Sequence, residues 1–436
     1  MLMLYDAISL NGDWAMGYSE EKYVSSNVPE CIYSQVKNCV PGYWEDMCDK
    51  FQLTHFFRLL KINPDYGIQR YPIADTAPNM ALPNIRGNFF YKRTIIIDSV
   101  KEDAYLYFSG VQNAVSVWIN DIYLDRHEGY STEFEISIPN KVLKTGENTI
   151  ILSVSNHCLE GYAGEPISGL TSRAANECTG GITGDLELRF YKSDLRDVAL
   201  FTARDCSYVD VKIDSVKQVD FKWEIYDENI LLQSGNSNDD FSFKTNRMEL
   251  WSPENPKLYT LKLTCQKGSL LRKFGVRRLL PDGVHFSLNG IPYFLRGICE
   301  HCYFPDTIHP NHDKLYYRSI IKRIKELGFN FIRFHTYVAE EEYLEAADEL
   351  GILVHIESPD NTTLEEWTQI VKCCRRHPCV VIYCCGNELL IDEPFIEHLH
   401  KCADIVHRDS DSLFSPLSAL RGVEYWWSEP PTEEEK

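Results

Sequence analysis

The segment "RRHPCVVIYCCGNE" (375–388) joins a run without a polar face to an amide and a carboxylate that stand side by side. Val381 to Cys385 offer no polar face, which is typical of a strand that is buried on both sides. A simple turn after such a strand would need only Gly386. The Asn387–Glu388 pair therefore raises the question of whether Glu388 is a surface residue or a reagent.

This strand belongs to a longer alternation of strand and helix patterns that begins near residue 284. Strands are predicted at 292–298, 329–335, 352–358, 379–388 and 412–420, and helices at 317–327, 339–351, 363–378 and 393–408. Strict alternation with apolar strands predicts a parallel sheet covered by helices. Four such units with short connections favour a (β/α)8 TIM barrel over an open sheet, and no Gly-rich phosphate loop follows any of the strands.

The first two thirds of the chain have a different pattern, that of short aromatic and β-branched strands separated by turn residues. It predicts a jelly-roll β-sandwich over 1–191 and an immunoglobulin-like β-sandwich over 192–279. Residues 280–436 then form the third domain. Because a full barrel needs about 250 residues, this domain holds only the first half of a TIM barrel. The predicted fold class is multidomain, β followed by α/β.

Composition narrows the possible partners. The formal net charge is −20, which argues against a nucleic-acid partner. The N-terminus has neither a basic region nor a long apolar region, and no stretch is long enough for a membrane span, so we expect a cytoplasmic protein without a membrane partner. The 15 cysteines are odd in number and often lie within apolar strands, which favours reduced thiols. "CEHC" (299–302) has the spacing of a zinc half-site, but no second pair follows, and we predict no metal and no cofactor.

Polar residues cluster at the carboxyl ends of the predicted barrel strands, where barrel enzymes hold their active sites. Each strand body is apolar and each end is rich in Arg, His, Glu or Asn. The residues are Arg296, Glu300 and His301 after the first strand, Arg333 and His335 after the second, His355 and Glu357 after the third, and Asn387 and Glu388 after the fourth. Four such ends in a row indicate a functional face.

Structural roles are open for several of these residues taken singly. Arg296 could close the barrel floor or pair with Glu357, and His335 could be a satisfied polar group of the core. His355 and Glu357 share a strand face, so one could hold the other. The default interpretation of Glu340 to Glu342 is a helix N-terminus, and that of His377 is a helix C-terminus.

Glu388 differs because it follows a strand of such low polarity. An apolar mouth of low dielectric should raise the pKa of this carboxyl toward that of a general acid. Glycoside hydrolysis needs a proton donor of this kind for the leaving oxygen. It also needs a second carboxylate roughly 5 Å away if configuration is retained.

Motifs along the whole chain resemble those of glycoside hydrolase family 2, which contains β-galactosidases, β-glucuronidases and β-mannosidases. The segment "RRHPCVVIYCCGNE" matches the family's H-P-S-V-x-x-W-x-x-G-N-E, with Cys379 in place of Ser and Tyr383 in place of Trp. The other similar segments are "LNGDW" (10–14), "VPGYWED" (40–46), "FSGVQNAVSVWIND" (108–121), "GGITGDLEL" (180–188), "LWSPENPKLYTL" (250–261), "FGVRR" (274–278) and "LNGIPYFLRGI" (288–298).

The resemblance implies a carbohydrate substrate and retaining hydrolysis of a β-glycosidic bond at a non-reducing sugar end. It implies that Glu388 is the general acid/base and that Asn387 contacts the sugar 2-hydroxyl. It also implies a nucleophile Glu on the seventh strand, which we expect beyond the residues of this sequence. We expect further substrate contacts from His301, Arg333, His335 and Glu357. The galactosidase branch has Arg-x-x-His and Asn-x-His where this chain has "RFHTYV" and "GICEHC", so the sequence names no particular sugar.

Two alternatives remain open at this point. The chain could be a catalytically inactive carbohydrate-binding or scaffolding relative, since it carries no assignable nucleophile. A metal-dependent hydrolase that uses the His and Cys residues is the other. Half a barrel would also leave two unpaired strand edges, from which we expect association, for example as a homo-oligomer.

Overall fold

The structure, a computed structural model, describes most of the chain between residues 4 and 418. The described residues are 4–19, 25–30, 37–44, 87–101, 103–129, 132–157, 159, 161–164, 180–302, 304, 310–389 and 393–418. Within them three separate hydrophobic cores are formed, two in β-sheet layers and one between a sheet and helices. Their packing gives the β-rich multidomain architecture that the sequence predicts.

Two antiparallel sheets enclose the first core, with strand orders β1-β12-β6-β9 and β3-β2-β5-β10-β7-β8, and β4 pairs with β11. Strand β12 illustrates why these residues form a sheet that packs on a core: alternate residues along it are buried. The strands are β1 (Tyr5–Ser9), β2 (Gly12–Ser19), β3 (Lys37–Val40), β4 (Gly42–Tyr43), β5 (Asn88–Ile97), β6 (Ala104–Phe108), β7 (Ala114–Ile119), β8 (Ile122–Glu128), β9 (Phe134–Ile138), β10 (Gly146–Ser155), β11 (Gly181–Ile182) and β12 (Leu186–Tyr191).

Two further antiparallel sheets enclose the second core, with orders β13-β14-β17 and β16-β15-β18-β19, and a three-stranded sheet β20-β21-β22 follows. The strands are β13 (Leu195–Thr202), β14 (Tyr208–Ser215), β15 (Phe221–Asp227), β16 (Ile230–Ser237), β17 (Phe241–Lys244), β18 (Tyr259–Cys265), β19 (Gly268–Phe274), β20 (Leu279–Asp282), β21 (His285–Leu288) and β22 (Ile291–Tyr293). The predicted domain boundary at 280 falls within β20, and the boundaries stay predictions.

The remaining elements alternate strictly between strand and helix, as predicted. They are β23 (Gly297–Glu300), α1 (Lys314–Glu326), β24 (Phe331–Phe334), α2 (Glu341–Leu350), β25 (Leu353–Glu357), α3 (Leu364–Cys374), β26 (Val380–Cys384), α4 (Glu393–Asp409) and β27 (Leu413–Ser415). The five strands pair in parallel in chain order, so β23 and β27 are the edges of the described sheet. Of the helices that the structure describes, none has both the length and the apolar character needed to cross a membrane.

Local sequence signals explain where these helices start and stop. The Asp313 side chain accepts from the Leu315 amide at 2.8 Å at the start of α1, and Gly328, with φ 88°, follows its end. Thr363 accepts from the Glu366 amide at 3.2 Å at the start of α3, which is half of a capping box. The cysteines in the described ranges are free thiols, in agreement with the predicted reduced state.

The first predicted barrel strand is the clearest error in the element assignment. Residues 292–298 form one predicted strand, but the structure splits them between β22 and β23. Arg296 therefore precedes β23 instead of following it. Its Nε donates to the Gly328 carbonyl at 2.8 Å, at the opposite end of the sheet from Glu357. Arg296 is thus not a member of the strand-end cluster.

Arg277, which follows β19, links the sheets of the second core to the parallel sheet. Its buried guanidinium donates to the carbonyls of Pro378 at 2.8 Å and Val380 at 2.7 Å, and to the Asp411 carboxylate at 2.6 Å. These partners flank β26 and β27. The position of β26, and of the Asn387–Glu388 pair after it, is therefore fixed in part by a residue more than 100 positions earlier in the chain.

We expect an Arg277→Lys variant to lower the free energy of unfolding by about 1–3 kcal/mol, because lysine keeps the charge but leaves buried carbonyls without a donor. Urea denaturation measures this change. The matched control is Arg247→Lys at an exposed position, which should stay within about 0.5 kcal/mol of the native protein. Equal losses in both variants would contradict the role given to Arg277.

His377 is a second buried residue that links separate elements, because it joins the residues before β26 to α2 through two carboxylates. Its Nδ1 lies 2.7 Å from the Asp348 carboxylate and its Nε2 lies 3.1 Å from the Glu341 carboxylate. Burial alone would lower the pKa of His377, but the two carboxylates outweigh it and raise the pKa to about 10. The default interpretation of His377 as a helix C-terminal residue misses this ion-pair role.

This raised pKa makes a pH-dependent contribution to stability. The folded pKa lies above the unfolded value of about 6.5, so the contribution is complete below pH 6.5 and is lost as pH rises toward 10. We expect the free energy of unfolding to fall across this window and His377→Gln to remove that part of the slope. His285→Gln, at an exposed histidine, is the control. Parallel pH profiles for native protein and His377→Gln would contradict the assignment.

Candidate active site

The carboxyl ends of β23 to β26 bring together polar residues that are far apart in sequence. The parallel register pairs Cys299 with Arg333, Arg333 with His355, and Glu357 with Cys384. Because parallel strands end at the same edge of the sheet, the residues that end or follow them meet there. Arg333, His335, Glu357 and Asn387 lie together as the strand-end pattern predicts.

Arg333 is the centre of this cluster. Its Nε and Nη2 donate to the two carboxylate oxygens of Glu357, each at 2.9 Å. The same Nη2 donates to the Asn387 side-chain oxygen at 2.9 Å and to the Ser418 hydroxyl at 2.7 Å, and it lies 3.0 Å from His335 Nδ1. Burial opposes the charge on Arg333, but the bonds to Glu357 raise its pKa. The guanidinium therefore stays charged and fixes four side chains at once.

Glu357 is the anchor of the arrangement because it has no exposed surface. Besides the fork from Arg333, it accepts the Thr336 backbone amide at 2.8 Å. Thr336 has φ 47°, a left-handed conformation that is rare for a β-branched residue. Such strain persists only where surrounding contacts enforce it and is common at functional sites.

Asn387 is oriented from two sides. Its side-chain oxygen accepts from Arg333 and from the Ser418 hydroxyl, the latter at 3.0 Å, while its backbone amide donates to Asp360 at 2.8 Å. Since the oxygen is held by these donors, the orientation of the whole amide group is fixed. Ser418 is a site residue that the sequence does not reveal, because the predicted strand 412–420 extends past it, whereas β27 ends at Ser415.

Glu388 does not lie in the apolar mouth that its position after β26 predicts. Its side chain is exposed, and its backbone has φ 55°. The left-handed turn at Glu388 directs the chain away from the line of β26, so a fully apolar strand does not guarantee an apolar environment for the next side chain. The expectation of burial is therefore wrong for Glu388 in this structure, whereas its role as a proton donor stays a prediction.

His301 joins the cluster through His335. The two rings stack with centroids 4.6 Å apart and planes at 22°. Cys299, two residues before His301, accepts from Arg333 Nη1 at 3.7 Å. The predicted site residue His301 thus lies beside Arg333 and His335. Cys299, on the same strand end, is exposed to solvent.

Two further strand-end residues are buried titratable groups. Burial lowers the pKa of His355 to about 4, so its imidazole is neutral near pH 7. Burial raises the pKa of Glu300, whose carboxylate accepts the Cys302 amide at 2.8 Å.

Two family models match the chain in sequence. The sugar binding domain of "Glycosyl hydrolases family 2" matches residues 7–165, and the model "Glycosyl hydrolases family 2" matches residues 197–277, together more than half of the chain. The chain belongs to glycoside hydrolase family 2. The predicted family resemblance is thereby confirmed, and the two matched ranges contain most of the strands of the first and second cores.

Relatives of this family 2 chain include two β-galactosidases. The one from Staphylococcus xylosus is 27% identical over 374 residues, which are 82% of this chain and 34% of that protein. The one from Lactococcus lactis is 26% identical over 423 residues, 88% of this chain and 40% of that protein. The chain thus spans well under half the length of these relatives.

Solved structures show the same fold. The β-glucuronidase of Faecalibacterium prausnitzii superposes with a TM-score of 0.72 at 20% identity, over 96% of this chain and 74% of that chain. A family 2 β-galacturonidase from Eisenbergiella tayi, bound to galacturonate, superposes with a TM-score of 0.67 at 20% identity, over 96% and 72% of the two chains. At this identity the likeness establishes the fold of the family 2 chain.

A separate cavity of about 340 Å³ lies between the sheets of the first core and the start of α2. Tyr43, Asp185, His312 and Glu340 are among its lining residues, and none of the predicted site residues lines it. Burial raises the pKa of Glu340, which accepts from the Tyr317 hydroxyl at 3.1 Å. Its position as the N-cap of α2 agrees with the predicted helix N-terminus.

Proposed function

We propose that this chain contributes the acid/base side of a retaining β-glycosidase site, with Glu388 as general acid/base and a carbohydrate as substrate. The observation that carries the proposal is the hydrogen-bonded cluster of Arg333, Glu357 and Asn387, because Asn387 is directly followed in sequence by Glu388. A fixed amide beside a carboxylate suits a sugar ring, which offers a hydroxyl next to the carbon that reacts. The names of the relatives support the same reaction class.

Each residue then has a defined task. Glu388 donates a proton to the leaving oxygen and afterwards removes one from the attacking water. Asn387, whose oxygen is held by Arg333 and Ser418, directs its amide nitrogen to a sugar hydroxyl. His335 and His301 form the wall beside it. Because Arg333 and Glu357 neutralise each other, they position these groups without adding net charge to the pocket.

The finer architecture is part of the proposal. We infer that the first two sheets form a jelly-roll sandwich, that the next two form an immunoglobulin-like sandwich, and that the parallel sheet with α1 to α4 is the first half of a TIM barrel. In this arrangement the cluster lies at the catalytic end of the barrel. The second catalytic carboxylate would then come from a later strand.

The experiment is an assay of the encoded polypeptide, both as this chain and with any residues that continue it, on a panel of aryl β-glycosides. The panel contains galactoside, glucuronide, galacturonide and mannoside. We expect one sugar to be released with retention of configuration, which proton NMR of the first product detects. Release with inversion, or no release from any substrate by the longest form, would sink the proposal.

A second candidate is a carbohydrate-binding relative that no longer catalyses. The observation that favours it is the exposed side chain of Glu388, which does not have the buried position that the strand before it predicts. Calorimetric titration with the free sugars distinguishes the two functions. Binding that is unchanged in Glu388→Gln, together with no turnover, would support the binding function.

A further inference from the structure

Three metal-ligating side chains lie together at the solvent-facing rim of the candidate site. One ligand atom from each of Cys299, His301 and His335 lies within 4.8 Å of those of the other two. Two strands supply them, since Cys299 lies on β23 and His301 and His335 directly follow β23 and β24. Strand pairing therefore fixes their approach, as the 3.0 Å bond from the His335 amide to the Glu300 carbonyl illustrates.

The spacing suits one tetrahedral ion after a small adjustment. Zinc lies about 2.3 Å from sulfur and about 2.0–2.1 Å from imidazole nitrogen, so ligand atoms on one ion are roughly 3.3–3.6 Å apart. The longest of these separations must therefore contract by up to about 1.5 Å. Cys299 is exposed and can change rotamer without displacing the core.

The neighbouring groups resemble the support that bound histidines usually have. His335 Nδ1 lies 3.0 Å from Arg333 Nη2 and 3.6 Å from the Glu357 carboxylate, so a metal bound through Nε2 requires the ring to exchange its contact with Arg333 for one with Glu357. A carboxylate contact at Nδ1 is the usual support of a histidine that binds metal through Nε2. Arg333 adds a positive charge 3.7 Å from the Cys299 sulfur, but its bidentate bond to Glu357 offsets that charge. The thiolate formed on binding supplies a further negative charge.

The ligand types decide which ion fits. One thiolate and two imidazoles are the donors that zinc takes in sites with three protein ligands, whereas calcium and magnesium prefer oxygen. We propose that Cys299, His301 and His335 form a binding site for Zn²⁺ or an ion of the same class, with a fourth position open to solvent. Cys302, the other cysteine of "CEHC", is buried and is not a member of the cluster.

The test uses the whole chain and the metal alone, so it does not depend on hydrolysis. After treatment with a chelator, the protein is titrated with ZnCl2 by calorimetry and with Co²⁺ by absorbance spectroscopy. We expect one tight site per chain, release of protons as the thiol ionises, and a Co²⁺ spectrum with sulfur-to-metal charge transfer and intense tetrahedral bands.

Variants assign the site. Cys299→Ser should abolish the charge-transfer band, and both Cys299→Ser and His301→Gln should weaken Zn²⁺ binding by more than the roughly 10–100-fold that loss of a supporting residue causes. Cys39→Ser removes another exposed thiol and should leave binding unchanged. Thermal melting confirms that each variant is folded. Unchanged affinity in Cys299→Ser, equal loss in Cys39→Ser, or the weak spectrum of octahedral Co²⁺ would each overturn the proposal.

Discussion

A Glu388→Gln variant is expected to lower kcat on a substrate with a poor leaving group, such as an alkyl β-glycoside, by roughly 10²–10⁴-fold. Glutamine keeps the shape of the side chain but cannot transfer a proton. An aryl substrate whose leaving group is already a weak base needs little protonation, so its first bond cleavage should be affected much less. The ratio of the two rates separates a lost proton donor from a general loss of structure.

Azide provides the complementary test of the same carboxyl. In a retaining reaction the residue that protonates the leaving group later deprotonates water, and an anionic nucleophile does not need that second step. Azide should therefore accelerate the Glu388→Gln variant on the activated substrate and yield a β-glycosyl azide. Glu397→Gln, an exposed carboxyl that pairs with Lys401 on α4, is the matched control and should behave as the native protein does. No rescue, or an equal loss in the control, would exclude Glu388 as acid/base.

The element pattern of this fold was predictable wherever one face of an element is buried. Strand β12 alternates and α1 buries Tyr317, Ile321 and Ile324 at helical spacing, so both leave a periodic signal. The strands that the sequence does not reveal include β8 and β16, which contain no buried residue and lie at the edges of their sheets. An edge strand with little burial on either face has no reason to alternate.

Most members of the candidate site were predictable, with Arg296 wrongly included and Ser418 missed, but the geometry of the site was not. The strand-end pattern identifies Arg333, Glu357 and Asn387, because residues at the carboxyl ends of paired parallel strands lie next to one another. They do not identify the orientation of Glu388, which depends on a left-handed backbone turn. The partners of His377 on α2 and the partners of Arg277 beside β26 and β27 come from distant parts of the chain, and no local pattern encodes them.

The second large effect, on the free energy of unfolding, is expected from the bidentate ion pair between Arg333 and Glu357. Arg333→Met leaves a carboxylate with no exposed surface without its cation, and breaking a buried pair in this way typically costs about 3–5 kcal/mol. We expect the lower end of that range, because the Arg333 side chain is 25% exposed and water can reach part of the vacated space. Urea denaturation measures the change. Arg323→Met breaks an exposed pair with Glu326 and should cost less than about 1 kcal/mol.

The double variant Arg333→Met/Glu357→Gln tests whether the loss of stability arises from the buried Glu357 charge that is left without its cation. Glutamine is neutral but keeps an acceptor for the Thr336 amide, whereas leucine would leave that buried donor unpaired. We expect the double variant to be more stable than Arg333→Met alone, with a coupling energy of about 0.5–3 kcal/mol in the mutant cycle. Its activity should not return, because Asn387 would lose the donor that orients its amide. Additive stability losses would mean that the fork contributes little, and recovered activity would mean that Arg333 does not position Asn387.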